Sequence, residues 1–490
     1  MGKFPVIHLG DLRQITGALL MYGNARPRLS RVSIDSRSCG PGDLFVALKG
    51  EKFDGHDFIP MARQRRVGGL LVSKSWFDQH GHTVRDGFSV VVPDPLRALS
   101  ELATLHRSRF SIPVIAVAGS NGKTGTKDLI AHVLSASFRV LKTQGNLNNH
   151  IGVPLTLLNL TTRHTLAVIE LGTNHFGEVS ALCAIAEPTH GLVTSIGREH
   201  LEFFGDLKGV ARAEFELYDW LSAHGGCAFA WLDDPFIQRY FAGIKHGFSP
   251  ERFFGYRLIG GRGSLSRAIP KPRTPPAVRS GIVTARRVGY KPDFKSVLEI
   301  MAKKQVVLRS SLGAPGLAGE LASVAATTLA LFFKIPARSI KQKLSDFKPV
   351  SSKRMEIRRR HDLTIINDAY NSNPDSLEMG LVTIADYPCQ GRKHLVLADM
   401  LELGESATPE HRKAGRRVRQ LGFTHLWALG PFCRHLHLGA GKLTVNRHFL
   451  DKGELAFALR KNLQKGDLVY LKGSRGMALE TILDSISPKN

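Results

Sequence analysis

Short apolar runs alternate with amphipathic stretches along most of this chain. Leu44–Leu48 and Gly69–Val72 are two such runs within the first hundred residues. The run 112–118 is aliphatic throughout. A glycine-rich turn follows it, and then the amphipathic stretch Lys127–Ala136. Leu166–Leu171 and Gly191–Ile196 repeat the strand pattern, and Val210–Leu221 reads as a helix. Beyond residue 349 the style returns in Leu363–Ile366, His394–Ala398, His425–Leu429 and Leu468–Leu471. Strands apolar on both faces belong inside a sheet covered by helices on each side. Their regular alternation with helical stretches predicts an α/β chain built on doubly wound parallel sheets.

At roughly 150 residues per domain, 490 residues suggest about three domains. The breaks in the pattern put them at 1–110, 111–348 and 349–490. One segment departs from the rest. Residues 251–310 hold 14 Lys and Arg against Glu251, Asp293 and Glu299, with a proline-rich run at 269–276. Proline removes backbone donors and like charges keep a chain solvated. The segment is therefore predicted to be a basic loop or insertion within the second domain, with an arm for an anionic partner as the alternative. No aromatic ladder is interleaved with its charges, which disfavours single-stranded nucleic acid. It supplies a large part of the formal net charge of +25, so that charge says little about the remaining residues.

Five scattered cysteines, none spaced as CxxC, fit a reducing compartment and give no zinc site. No 18-residue apolar run is present to span a bilayer, and the first residues carry no apolar leader segment. A cytoplasmic protein without membrane insertion is expected.

The strongest chemical signal lies directly after the run 112–118. Gly119-Ser120-Asn121-Gly122-Lys123-Thr124 joins a buried strand to a helix, the setting a phosphate loop requires. Glycines let backbone N–H groups converge on phosphate oxygens. Lys123 neutralises the β and γ phosphates, and the Thr124 hydroxyl can ligate Mg²⁺. A nucleoside triphosphate is the expected ligand.

Glu170 ends the run Leu166–Glu170, where ligands of open α/β sheets bind, and is read either as a metal ligand or as a loop carboxylate. His200 follows its strand by a short loop and is open to a metal role or a structural one. Glu214 and Glu216 lie on a helix but two residues apart, so they do not share a face; either reads equally as a solvated carboxylate. The run 143–154 carries Asn146, Asn148 and Asn149, whose amides suit sugar or phosphate oxygens or else turn chemistry. In the third domain three polar clusters follow three strands: 367–374, 399–404 and 472–475. Three clusters at strand ends are expected to converge on one sheet edge.

In their order and spacing these motifs resemble the Mur ligase family. The resemblance rests on Gly119–Thr124, Asn146–Asn149, Glu170 with 172–178, His200-Leu-Glu202, Tyr370-Asn-Ser-Asn-Pro374, Asp399–Gly404 and Lys472–Arg475. At the N-terminus it adds Asp35-Ser36-Arg37, Gly42–Phe45 and Asp54–His56. It covers most of the chain except about 235–305.

The resemblance implies a smaller N-terminal α/β domain holding a UDP-sugar, a central phosphate-loop domain and a C-terminal Rossmann-like α/β domain. It implies ATP-dependent amide-bond formation in peptidoglycan synthesis through an acyl phosphate, with ATP and Mg²⁺. UDP-N-acetylmuramoyl-tripeptide and D-alanyl-D-alanine are the implied partners of a monomeric enzyme. Lys123, Glu170, His200 and Glu214 take catalytic roles, and Thr124, Glu170 and His200 hold the metal. Gly119, Ser120, Asn121, Gly122, Lys123, Thr124, Arg354 and Asp368 bind ATP. Asp35, Ser36, Arg37, Asn146, Asn148, Asn149, Tyr370, Asn371 and Asn373 bind the other substrates. A related ligase for another acidic substrate, and a non-catalytic paralogue, stay open beside this reading.

Three positions depart from the family pattern. Glu214 stands where members carry a lysine carbamylated by CO₂, and it supplies a carboxylate without modification. Ala318, Gly319 and Ala322 stand where members carry polar side chains near adenine. Losing one or two such hydrogen bonds costs about 1–3 kcal/mol, roughly 5- to 150-fold in nucleotide affinity. Trp231 replaces a frequent Asn.

Overall fold

A computed structural model describes residues 7–22, 27, 29–84, 87–242, 247–259, 282–349, 353–360, 362–401 and 403–486. The chain packs as two compact units. One comprises 1–117, 138–173 and 177–191; the other comprises 118–137, 174–176 and 192–490.

The first unit carries a five-stranded sheet in the order Leu19–Met21, Ser89–Val92, Gly69–Ser73, Asp43–Val46, Arg31–Ser33. Only the Leu19–Met21 edge is antiparallel to its neighbour. Phe45, Leu70, Val72 and Val91 form its core with Ile59 and Ala62 of the helix Ile59–Gln64. The same unit holds the parallel strands Val140–Lys142, Leu166–Glu170 and, up to residue 117, Val114–Ala118 side by side. Every residue of the last two is buried, which explains why both read as continuous apolar runs. The last of the boundaries between the units falls within the strand His190–Val193.

In the second unit, Cys227–Trp231 and Phe253–Ile259 pair in parallel, and Val283–Tyr290 continues in parallel. Ser296–Ala302 and Gln305–Ser311 then fold back antiparallel, so this sheet is mixed where an all-parallel one was expected. The basic segment is corrected accordingly: residues 253–259, 283–290, 296–302 and 305–311 are strands, not loop. Alternating burial in Ser296–Ala302 shows one face packed inward; in the neighbouring strands Arg286 and Arg309 are exposed, and Arg287 pairs with Glu320 and Asp386. Phe294, in the turn between two of these strands, joins the core of the C-terminal sheet beside Tyr387 and Leu381. The proline-rich run 269–276 lies outside the described residues.

The C-terminal sheet orders its strands Glu356–Arg360, Leu363–Asn367, Leu468–Lys472, Lys393–Ala398, His425–Leu429, Val445–Phe449. All pair in parallel except the first, which forms an antiparallel edge. The helices Pro374–Asp386, Ala407–Gln420 and Lys452–Asn462 cover the two faces. No helix among the described residues is long and apolar enough to cross a membrane.

Candidate active site

The phosphate loop leaves the strand Val114–Ala118 and enters the helix Lys123–Leu134. Gly119 lies at φ +114°, and a Cβ built there would sit 2.4 Å from Thr194 Oγ1, so no other residue fits. The helix begins after Gly122 with no side-chain cap. The N-terminal end of a helix carries a partial positive charge, and the helix dipole favours an anion there. A glycine-rich strand-turn-helix with an apposed lysine fits a nucleotide phosphate. Thr124, in the first turn, presents the hydroxyl that suits a phosphate-bound Mg²⁺.

The loop is braced from several directions. Ser120 N–H donates to Ser195 O at 2.9 Å, and Thr194 Oγ1 donates to Asn121 O at 2.7 Å. Gly119 N–H donates to Glu214 Oε2 at 2.6 Å. Glu214 is wholly buried, which removes the solvated reading of its carboxylate. Lys123 Nζ donates to Gly119 O at 2.5 Å and lies 3.6 Å from Glu199 Oε2. Burial pushes both Glu199 and Glu214 above the usual carboxylate range, although Lys123 opposes the shift in each. Mutual repulsion adds to the rise at Glu199. Two buried acids therefore back the loop lysine. Sequence reasoning found Glu214 and missed Glu199; a buried loop glutamate has no local signature.

His200 is half-buried at φ +47° in the loop after His190–Val193. Arg198 in this loop pairs with Asp375 and Glu410 on two helices of the C-terminal sheet. None of those three was singled out from the sequence.

In the first unit, Glu170 is buried at the end of its strand. Its N–H donates to Thr143 Oγ1 at 3.0 Å, and Asn148 Nδ2 donates to its Oε1 at 2.9 Å. Two of the candidate residues are thus brought together there. Asn146 and Asn149 are exposed, and Asn149 accepts the N–H groups of Ile151 and Gly152 as turn chemistry predicts. Asp35 accepts a forked pair of bonds from Arg37, which holds its carboxyl down at about 2. Ser36 is buried, its hydroxyl against the Met61 sulfur.

The three C-terminal clusters do converge. Lys472 Nζ donates to Asp368 Oδ2 at 2.8 Å and to Asn371 O at 3.2 Å. Ser474 Oγ donates to Ser372 O, and Ser474 N–H donates to Asp399 O. Asp368 also accepts from Tyr470 Oη and Met355 N–H. Arg354 stacks its guanidinium over the Tyr370 ring, 4.2 Å from the centroid. Asn371 is exposed, and Asn373 caps the helix Pro374–Asp386 while its amide donates to Asn121 Oδ1 at 2.9 Å. Glu402 of this motif lies outside the described residues.

Near residues 316–322 the structure gives a reason for one of the three missing polar groups, that at Gly319. Glu320 is buried, accepting from Ser296 Oγ at 2.6 Å and Arg287 Nη1 at 3.0 Å. A Cβ at Gly319 would lie 2.6 Å from Ala314 O, so this backbone admits no side chain there. Trp231 has its own partner, its indole N–H donating to Asp233 Oδ2 at 3.2 Å.

One other cluster, Asp399, His411 and Cys433, has metal-like composition. His411 Nε2 accepts Met400 N–H, and its Nδ1 donates to Ala407 O. Asp399 accepts the N–H groups of Phe432 and Cys433. With both ring nitrogens and both carboxylate oxygens engaged, the cluster is a hydrogen-bond network closing a helix start.

Fold and site define a class: an α/β phosphate-loop protein whose C-terminal sheet brings polar strand ends against that loop. Family models match three stretches: the Mur ligase middle domain over residues 117–256, the Mur ligase glutamate ligase domain over 353–475, and the Mur ligase family catalytic domain over 28–75. The UDP-N-acetylmuramoyl-tripeptide–D-alanyl-D-alanine ligase of Bacillus subtilis is 31% identical over 93% of this chain and 92% of its own. Its Escherichia coli counterpart is 31% identical over 94% of each. A crystal structure of MurF from Acinetobacter baumannii superposes with a TM-score of 0.83 at 26% identity, covering 99% of both chains. This chain belongs to the Mur ligase family, the ATP-dependent amide ligases of peptidoglycan synthesis.

Proposed function

We propose that this protein joins D-alanyl-D-alanine to the peptide carboxylate of UDP-N-acetylmuramoyl-tripeptide at the expense of ATP. The observation that carries the reading is the seating of Tyr370–Pro374 on the phosphate loop through the Asn373–Asn121 bond. In the family pattern this Tyr-Asn-x-Asn-Pro run goes with a dipeptide amine, and the names of the curated relatives agree with it.

The chemistry follows from the charges. A carboxylate must approach a γ-phosphate, and the two repel. Lys123, on the first turn of the loop helix, offsets that repulsion and steadies the transferred phosphoryl group. The peptide carboxylate oxygen attacks phosphorus and ADP leaves. The amine of D-alanyl-D-alanine then adds to the acyl carbon, loses a proton, and expels phosphate. Thr124, Glu170 and His200 are the residues that would hold Mg²⁺, which when bound supplies charge neutralisation at the phosphates. Asp35, Ser36 and Arg37 would receive the UDP-sugar, Asn146, Asn148 and Asn149 its polar groups, and Tyr370 and Asn371 the reacting ends. Arg354 and Asp368 would lie along the nucleotide.

ADP release tests this directly. With UDP-N-acetylmuramoyl-tripeptide, ATP and Mg²⁺, steady turnover should require D-alanyl-D-alanine, and Lys123→Ala should abolish it. Turnover with a different amine or acid acceptor only would replace this reading by a related ligase. Substrate binding without turnover would replace it by a non-catalytic paralogue.

A further inference from the structure

The loop 197–200 carries Glu199 and His200, yet has no regular structure of its own. His200 lies at φ +47°, a left-handed conformation that a residue with a Cβ keeps only where its surroundings impose it. On one side the imposition comes from the phosphate loop. Gly197 N–H donates to Ser120 Oγ at 2.9 Å, and that hydroxyl donates to Gly197 O at 3.2 Å.

On the other side it comes through Arg198. The Arg198 backbone N–H donates to Asp375 Oδ2 at 2.5 Å, and Nη2 donates to Asp375 Oδ1 at 2.6 Å. Nη1 donates to both Glu410 oxygens at 2.8 Å. The three side chains are only 20%, 29% and 18% exposed, so these charge-assisted bonds are poorly screened. Asp375 lies in the first turn of Pro374–Asp386, and Glu410 in the first turn of Ala407–Gln420. Each carboxylate is favoured there by its own helix dipole. One guanidinium thus ties two helix starts of the C-terminal sheet to one loop. Its planar fork of donors allows this; a lysine ammonium could not span both carboxylates with the same geometry.

We propose that Arg198 is a positioning residue: by gripping Asp375 and Glu410 together it seats the C-terminal helices against the loop 197–200 and holds Glu199 and His200 in register with the phosphate loop. Nothing in the family pattern assigns it this task. Its kinetic consequence rests on the ligase reading above, while its structural consequence does not.

The test therefore has two arms, both on the full chain. Amide hydrogen exchange is followed at 196–204 and 373–377 in wild type, Arg198→Lys, Arg198→Ala and the milder Glu410→Gln. Both segments should lose protection together, by about tenfold or more in the alanine variant and less in the other two. ADP release at saturating substrates should fall roughly 10- to 100-fold in Arg198→Ala, a loss typical of misplaced reacting groups, with the KM for ATP changed far less. Arg198→Lys should recover only part of it. Unchanged protection at 373–377 in all three variants overturns the clamp. So does a kcat within about twofold of wild type, a change too small for lost positioning. If wild type itself releases no ADP, the ligase reading fails, and the exchange arm still decides the clamp.

Discussion

The amide of Gly119, the first residue of the phosphate loop, donates to the carboxylate of Glu214 at 2.6 Å across 95 residues of sequence. Glu214 has no exposed surface. A buried carboxylate therefore fixes the loop backbone from behind, at the position where the family pattern usually has a lysine.

Glu214→Ala should leave the Gly119 N–H unsatisfied and free the strand-to-loop junction. Losing a charged hydrogen bond of about 1.5–3 kcal/mol predicts a fall in kcat/KM for ATP of roughly 10- to 150-fold. Wild-type activity should be the same in CO₂-free buffer and with added bicarbonate, because the carboxylate is part of the side chain. Steady-state ADP release in the two buffers checks it; stimulation by bicarbonate would show that the anion comes from elsewhere.

Phe294 tests the standing of the basic segment. Its ring is 8% exposed and packs on Tyr387 in the C-terminal core. Phe294→Ala should destabilise the protein by about 3 kcal/mol, in the range for buried aromatic truncations. Urea unfolding followed by tryptophan fluorescence measures it. A midpoint equal to that of wild type would return residues 282–311 to the status of a loop.

His394 makes the C-terminal sheet acid-sensitive. Its Nδ1 accepts the Trp427 indole N–H at 3.2 Å while Nε2 bonds Asp467 at 3.0 Å. A proton on Nδ1 would set two donors face to face. Burial is the largest cause of its lowered pKa, Asp467 opposes it, and His425 and Arg392 add to the lowering, which brings it to about 4. The folded pKa is below the unfolded value near 6.5, so the unfolded chain binds more protons between those values. Stability is full above about 6.5 and falls as pH drops toward 4, by at most about 3 kcal/mol from this residue. Unfolding midpoints at pH 7, 5.5 and 4.5 should show the decline. His394→Gln should flatten it, and an unaltered slope in that variant would exclude the assignment.

The Asp399–His411–Cys433 cluster should be indifferent to metals. Chelator treatment, or added Zn²⁺, should leave the thermal midpoint within about 1 °C, since its donor atoms are already engaged within the protein. A rise of several degrees with Zn²⁺ would mean that those hydrogen bonds give way to a metal.

The legible parts of this protein were the local ones. The phosphate loop was readable because its function resides in backbone conformation, which two glycines and an adjoining apolar strand specify by themselves. The strands Val114–Ala118, Leu166–Glu170 and His425–Leu429 were readable because burial on both faces forces unbroken apolar runs. The meander at 283–311 was not. Its strands are antiparallel and only partly buried, Lys291, Lys295, Lys303 and Lys304 sit in its turns, and a count of charges mistook the whole segment for solvated chain.

By itself the sequence determined the α/β class, the nucleotide loop and the convergence of the three C-terminal clusters, all consequences of periodicity and strand-end geometry. Only the tertiary structure decided that Glu199 joins Glu214 behind Lys123, that Glu320 is taken up by Arg287, and that Arg198 finds Asp375 and Glu410. Those last partners lie 177 and 212 residues away. The reason is physical: the worth of a charge depends on burial and on its partner, and neither is a property of its neighbours in sequence.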